Sequence, residues 1–434
     1  MKTIEVPALA RVEGEGGLYI GLKDGQAVEI RLDIYEPPRF FEGFLVNRFL
    51  QEVPDITARI CGICPVAYQM SSVYALESAL GVKVSPQVRA LRRLMYCGEY
   101  IESHALHIYL LQAPDLLGQP SALDLAAVAP QVVKDALRLK KIGNEILKDI
   151  GGRSVHPVNA CVGGWYRWPD IAPLKALLPD LEWGLEAAID CVKWAVTLPF
   201  PDLKIDYEFV ALHHPEEYGI LEGEVWSSKG RKLSVADFEK GYLEEHVRHS
   251  NALHGHTMDG GNYLVGPLAR LNLNHAQLLP FAQKALKDNK IKLPLTNPYK
   301  SLIARAVELV QAYEEAIMLV KTYQPDGPAH IELKLKAGEG AGATEAPRGL
   351  LYHRYQIDAQ GRVQFARIVP PTAQNLPRIE EDLLALVPKI IAMPQEEATL
   401  TAEHLVRSYD PCISCATHFL KLRVEETGEK GVWE

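Results

Sequence analysis

Four cysteines in two C-x-x-C pairs stand near opposite ends of the sequence, Cys61-Gly62-Ile63-Cys64 and Cys412-Ile413-Ser414-Cys415. Four thiolates are enough to close a soft-metal site. A C-x-x-C loop delivers two sulfurs to one centre because the residues between them turn tightly, and Gly62 eases that turn. Zinc ribbons space their pairs roughly 15–20 residues apart. Here 348 positions separate Cys64 from Cys412, which argues against a compact ribbon. On spacing alone three readings stay open: one shared metal site, structural zinc, and two unrelated buried or redox dithiols. The flanks add reactive groups. His418 follows Cys415 by three residues, and Asp410 precedes Cys412 by two with the rigid Pro411 between. A structural site has no use for these groups, whereas a reactive one uses them to tune its ligands and handle protons.

Arg59-Ile60-Cys61-Gly62-Ile63-Cys64-Pro65, with Asp410-Pro411-Cys412-Ile413-Ser414-Cys415-Ala416-Thr417-His418, resembles the two signature segments of nickel–iron hydrogenase large subunits. The likeness continues outside them. Arg11-Val12-Glu13-Gly14 resembles the family's N-terminal segment, and Glu102-Ser103-His104-Ala105-Leu106-His107 with Pro114-Asp115 resembles the helix after the first pair. Gly266-Pro267-Leu268-Ala269-Arg270, Glu345-Ala346-Pro347-Arg348-Gly349 and Pro371-Thr372 correspond as well, in the family's order over residues 11–418.

The resemblance implies an enzyme acting on H2, with nickel held by all four thiolates and two of these bridging to an iron that carries carbon monoxide and cyanide. Cys61 and Cys412 would be terminal on nickel, and Cys64 and Cys415 would bridge. H2 would part heterolytically, with Glu13 accepting the proton from Cys412 as first relay. Thiolates suit both tasks, being soft donors and basic sites whose pKa a metal depresses. Arg348 would lie over the open side of the metals near a cyanide, cationic without being a usable ligand. Asp115 and Asp410 would complete that canopy. Thr372, following Pro371, would hydrogen-bond the other cyanide through its hydroxyl. Glu42, nineteen residues before Cys61, would share a magnesium-type hard ion (or iron) with His418, a backbone carbonyl near Ile368 and waters. Read on their own, Glu13 is a solvated carboxylate beside a strand and Asp115 a helix cap after Pro114.

The four paired cysteines are all used at this centre, so electrons must leave through another chain. The resemblance implies an iron–sulfur small subunit docked over the metals. Tyr68, where many relatives have His, and the run Pro65-Val66-Ala67-Tyr68-Gln69 resemble the sulfhydrogenase-type branch that works with NADP or NAD. Flavin-bearing diaphorase subunits would follow, so clusters, flavin and nicotinamide are expected on partners only. Glu15 stands where the family's usual His follows Glu13-Gly14, a change expected to alter a nearby contact rather than the metals. Residues 419–434 correspond to a tail that a maturation protease removes after nickel loading in many relatives, or that is retained. The branch resemblance favours the cytoplasm. Two rivals are weighed: a non-catalytic complex-I-type quinone-site homologue, which has lost the nickel cysteines, and a structural zinc protein.

A centre of this kind needs a large body to hold it. The 434 residues are 47% apolar and 23% charged, an ordinary globular composition with roughly two to three domains' worth of core. Forty-six basic against fifty-five acidic side chains leave a net charge of −9, which disfavours nucleic acid as a partner. No run of about 18 apolar residues occurs, so no membrane span is expected, and residues 1–7 lack the apolar stretch of a secretory signal. Seven cysteines are too few for a disulfide scaffold and fit a reducing compartment.

Strand patterns at 17–22 and 27–32 flank Asp24-Gly25, a favoured hairpin pair. Helices are expected at 64–80, stopping at Gly81, and at 87–112, where Leu91, Leu94, Met95, Ile101, Ala105 and Ile108 recur at helical steps. Further helices are expected near 132–149, 173–197, 276–287, 301–322 and 379–392. The polar stretch 203–260 reads as a surface excursion of strands and turns, with His246, His249, His254 and His256 solvated rather than metal-binding. Strands are expected at 329–335, 350–357 and 363–368. Gly338 to Gly342 reads as a turn feeding the metal site rather than a phosphate loop. His104 and His107 read as hydrogen-bonded core residues, and Cys97, Cys161 and Cys191 as small buried ones. The fold class is α+β and mostly helical, a large helical core with small β-sheets. The convergence of the two pairs that the resemblance implies would make residues 1–434 one interlocked domain, with 1–100 and 330–434 sharing a core.

Overall fold

In the computed structural model, residues 2–23, 26–417, 423–426 and 429–432 are described. His418 and the Asp24-Gly25 turn lie outside them. The chain opens with β1 (Lys2–Val6), β2 (Gly16–Lys23) and β3 (Gln26–Ile34), antiparallel in that order, with Leu18 opposite Leu32 and Ile20 opposite Ile30. Leu18, Ile20, Leu22, Leu32 and Ile34 are buried, the inward half of an alternating pattern.

Long helices make the body. α1 (Pro65–Leu80) begins on a proline directly after Cys64 and stops at Gly81, whose φ of +69° is reached freely only without a Cβ. α2 (Pro86–Leu106) is capped by Ser85, which accepts from Val88 N–H. It continues through a widened π-type turn, His107–Gln112, into Ala113–Leu116. α3 (Pro130–Gly151) lies against α2 at paired glycines, where a Cβ on Gly143 would stand 2.6 Å from the Gly98 carbonyl oxygen. The helix expected at 173–197 is divided into Ile171–Ala176 and α4 (Leu178–Ala195). Pro179 cannot donate to the preceding turn, so the chain restarts there. The 276–287 helix is Pro280–Asp288 behind a short 3₁₀ turn, and α5 is Ser301–Thr322.

The stretch 203–260 is less superficial than its composition suggests. It holds a three-stranded sheet and a hairpin of β4 (Tyr242–His246) and β5 (Leu253–Thr257). Val210, Leu212, Val225, Phe238 and Tyr242 pack with Leu350, Tyr352 and Val369 in a second apolar cluster. His254, on β5, is buried, contrary to the solvated reading.

Residues 331–337 form no strand. The strand starts at Gly338, where β6 (Gly338–Ala346), β7 (Gly349–Ile357) and β8 (Val363–Val369) build an antiparallel sheet. The glycine run expected as a turn is therefore β6 itself. A Cβ on Gly340 would meet the Ala75 carbonyl oxygen at 2.2 Å, so the glycines let the strand lie directly on the backbone of α1. α6 (Pro371–Ile390) starts well before the expected 379 because Pro371 nucleates its first turn. α7 (Gln395–Ser408), not anticipated, follows. The apolar cluster that holds Ile4, Leu18 and Ile20 also holds Ile413 and Ala416, so both ends of the chain share it. Among the described residues no helix is long and apolar enough to cross a membrane.

Candidate metal centre

The first cysteine pair lies on the approach to α1. Cys64 occupies the position before Pro65, and its own N–H, with that of Ile63, points to Cys61 Sγ at 3.2 and 3.3 Å. The free N–H groups of the first turn are met from α2, where Glu99 accepts from Val66 at 2.7 Å and Ala67 at 3.2 Å. The second pair follows α7. Cys412 N–H donates to Thr372 Oγ1 at 2.9 Å, and Ile413 N–H to the Glu13 carbonyl at 2.9 Å. Gly14, at φ +88°, lets the N-terminal segment lie flat on this loop, since a Cβ would stand 2.7 Å from Ile413 Cβ and 2.8 Å from Ser414 N.

Folding brings the two pairs together. The sulfurs of Cys61, Cys64, Cys412 and Cys415 all lie within 4.8 Å of one another, and all four residues are buried. Cys64 Sγ is 2.8 Å and Cys412 Sγ 3.6 Å from Cys61 Sγ. Burial pushes the Cys61 thiol up, but hydrogen bonds from the other three thiols and the charge of Arg348 outweigh it and leave it well below the usual range. Burial, with sharing among the same sulfurs, holds Cys412 well above it. A buried cluster with one favoured thiolate and three displaceable protons is the donor set of a soft cation.

Glu13 stands against this cluster. Its Oε2 accepts from Cys412 Sγ at 3.1 Å and from Ser414 N–H at 3.1 Å. Arg348 occupies the two-residue tip between β6 and β7, donating from Nε to the Asp410 carbonyl at 2.7 Å and from Nη2 to Asp410 Oδ1 at 2.8 Å. Its Nη1 is buried with no hydrogen-bond partner among the described residues. Burial raises the Asp410 carboxyl, and Arg348, backed by His107 and Arg305, overrides it and holds the group below the ordinary range. Asp410 has a left-handed φ of +57°, a strain these bonds sustain.

Asp115 does not meet Arg348 through any hydrogen bond or ion pair described. Its oxygens are taken by Arg11 and by Arg407, the latter at 2.7 Å, because these two guanidinium groups surround it before Arg348 can. Glu42 is buried and accepts the Ile368 N–H at 2.8 Å, so it meets that residue's amide as well as lying near its strand. Thr372 is engaged by Cys412, and Pro371 starts the helix that carries it. Tyr68 is buried with its hydroxyl unpartnered among the described residues. His104 and His107 are buried and bonded to Glu308 and to the Arg407 carbonyl, each at 2.9 Å.

Three supports had no role assigned from the sequence. Glu99 was visible only as a charge inside an apolar helical stripe. Arg39 donates to the Ile60 carbonyl at 2.8 Å and to the Ser414 carbonyl, joining the two cysteine loops. Arg270, at the start of the Gly266-Pro267 helix, holds the carbonyls of Ala346 and Pro347 at 2.8 and 2.9 Å and so fixes the tip that bears Arg348.

Comparison with known proteins gives one consistent picture. The family model described as nickel-dependent hydrogenase matches residues 39–153 and 255–418. Sulfhydrogenase 1 subunit alpha of Pyrococcus furiosus is 34% identical over 424 residues, covering 96% of this chain and 98% of that protein. Sulfhydrogenase 2 subunit alpha of the same organism is 35% identical over 430 residues, covering 96% and 100%. A crystal structure of an NAD+-reducing [NiFe]-hydrogenase in the H2-reduced state superposes with a TM-score of 0.86 at 27% identity, over 96% of this chain and all of that one.

Proposed function

This chain belongs to the nickel-dependent hydrogenase family, is a hydrogenase, and, we propose, divides the reversible heterolytic cleavage of H2 among the residues described above. The carrying observation is that four sulfurs from opposite ends of the sequence converge within 4.8 Å, with a carboxylate 3.1 Å from one of them.

Cys61, Cys64, Cys412 and Cys415 would hold the nickel and the iron. The donor set fits, being four buried soft ligands with displaceable protons. When bound, the nickel–iron pair supplies the Lewis acidity and two-electron capacity that polarise H2. The rest falls to the protein. Glu13 takes the proton from Cys412 Sγ across 3.1 Å, its carboxylate held in place by Ser414 N–H. Arg348 keeps a fixed positive charge over the cluster, braced by two bonds to Asp410. Its Nη1, without a partner among the described residues, is a donor for a small anionic ligand, which cyanide on iron would satisfy, and the Thr372 hydroxyl, which accepts from Cys412 N–H, would donate its proton to another. Asp115 supports the site at one remove by locking Arg11 and Arg407. Glu42, with Ile368 and His418, would hold a hard ion, magnesium or iron, near the second pair.

Electrons would leave to an iron–sulfur small subunit and onward through flavin-bearing diaphorase subunits to NADP or NAD. The support is the similarity to the sulfhydrogenase alpha subunits and to the NAD+-reducing [NiFe]-hydrogenase. We place the complex in the cytoplasm and take residues 419–434 as a tail that a maturation protease removes or that is retained. Infrared spectroscopy of the purified complex tests the centre. Stretches from carbon monoxide and cyanide on iron are expected, and their absence from nickel-loaded protein would defeat the assignment.

A further inference from the structure

Away from the cysteines, three ligand-type side chains meet where the β4–β5 hairpin packs on β3 and α6. His249 lies in the hairpin loop, His254 on β5 and Glu380 on α6, and one ligand atom of each lies within 4.8 Å of the other two. His249 Nε2 and Glu380 Oε1 share a proton across 2.7 Å. His254 is 2% exposed, and its Nε2 has no hydrogen-bond partner among the described residues. Its ring stands edge-on to that of His249 with centroids 5.5 Å apart. A buried ring nitrogen without a partner carries a full desolvation cost, which a bound cation would relieve.

The surroundings are built to hold such an ion. Leu32 N–H donates to Glu380 Oε1 at 2.8 Å, orienting the carboxylate from β3 as ligating carboxylates commonly are. Asn251 N–H donates to the Ile34 carbonyl at 2.7 Å and pins the loop that carries His249. The side chains of His249 and Glu380 are 22% and 17% exposed, so an ion has a way in from solvent while His254 closes the inner side.

We propose that His249, His254 and Glu380 form a second metal site for one divalent cation of the zinc class, with water completing its coordination. Two imidazoles and a carboxylate suit a borderline ion and disfavour calcium or magnesium, which prefer oxygen donors. Donors around tetrahedral zinc stand about 3.3 Å apart; His249 Nε2 and Glu380 Oε1 stand 2.7 Å apart and all three ligand atoms lie within 4.8 Å of one another, so small side-chain rotations suffice. Burial lowers His254 to about 4, which leaves its ring neutral and open to a metal. The proton shared by His249 and Glu380 is the one the cation displaces. Occupied, the site would clasp β3, the hairpin and α6, the helix whose first turn carries Thr372. It does not depend on what the four cysteines hold.

The test uses the whole nickel-loaded complex, washed with chelator and titrated with Zn²⁺ against a chromophoric competitor, with metals counted by mass spectrometry. One zinc per large subunit above the washed baseline is expected. His249→Ala and His254→Ala should each weaken it by on the order of 100-fold or more, since even indirect supports of a metal ligand cost 10–100-fold, with nickel content unchanged. His249 lies in a half-open loop, so its variant decides the matter if His254→Ala fails to fold. Co²⁺ in place of zinc should give visible ligand-field bands that His249→Ala abolishes. No added zinc in the unaltered complex, or equal zinc affinity in the unaltered complex and His249→Ala, would overturn the proposal.

Discussion

Glu13 touches the second cysteine pair through its backbone carbonyl and through both bonds to Oε2, so one residue aligns the loop and, in the proposed relay, would accept its proton. Glu13→Gln preserves size and the Ser414 contact but cannot take a proton. Hydrogen–deuterium exchange should fall by about 10²–10⁴-fold at unchanged nickel and iron content; normal exchange would remove the relay. Arg348→Lys keeps the charge and loses the planar fork, so Asp410 cannot be gripped at two points. H2 oxidation should drop on the order of 10²-fold with metal loading intact, and a near-normal rate would dismiss the role. His107 provides a pH test. Burial, then Arg305, lower it from 6.5 to about 3, so the unfolded chain binds its proton first as pH falls. The stability it contributes is present above pH 6.5 and lost progressively toward pH 3. Melting of the native protein relative to His107→Gln should therefore lose ground between pH 7 and 5; a constant gap would refute the assignment.

At the scale of elements, the site depends on how closely β6 lies on α1. Gly340 has room for no side chain, since a Cβ would also fall 2.3 Å from Ala79 N, and these are backbone atoms that cannot swing aside. Gly340→Ala should lower stability by about 1–3 kcal/mol or more, read from the denaturant midpoint, and no change would mean that the strand rides higher than described. The far end of the same strand is held by Arg270, which binds Glu308, Glu345 and two carbonyls while fully buried. Burial raises the Glu308 carboxyl, and Arg270 overrides this to leave it at about 2, ionised across the ordinary pH range. This buried ion pair is a brace for the tip that carries Arg348, and its value is positional more than stabilising.

Across the whole molecule, the centre exists only because segments from both ends of the chain are tied. Arg39 bonds the carbonyls before Cys61 and before Cys415, and its own N–H meets Thr417 at 2.6 Å. Arg39→Ala should reduce nickel affinity by roughly 10–100-fold, seen as under-loaded protein by metal analysis with helical content unchanged. Full loading would show that apolar packing alone aligns the two loops.

The helices around the cysteines, the β7–β8 hairpin and the mostly helical α+β class were legible because hydrophobic spacing and punctuating residues such as Gly81 act locally. β6 was not, since glycines that permit close strand-on-helix contact look like a turn until the helix is in view. His254 was hidden in a polar stretch whose inward face only packing exposes. The sequence by itself determined the candidate donor atoms, their pairing within each short loop and the family they signify, because coordination chemistry follows from element and charge at fixed local spacing. Tertiary structure alone decided that Asp115 goes to Arg11 and Arg407 while Asp410 goes to Arg348. Ion pairs and hydrogen bonds are settled over a few ångströms, and which groups come that close across hundreds of residues is a property of the folded core.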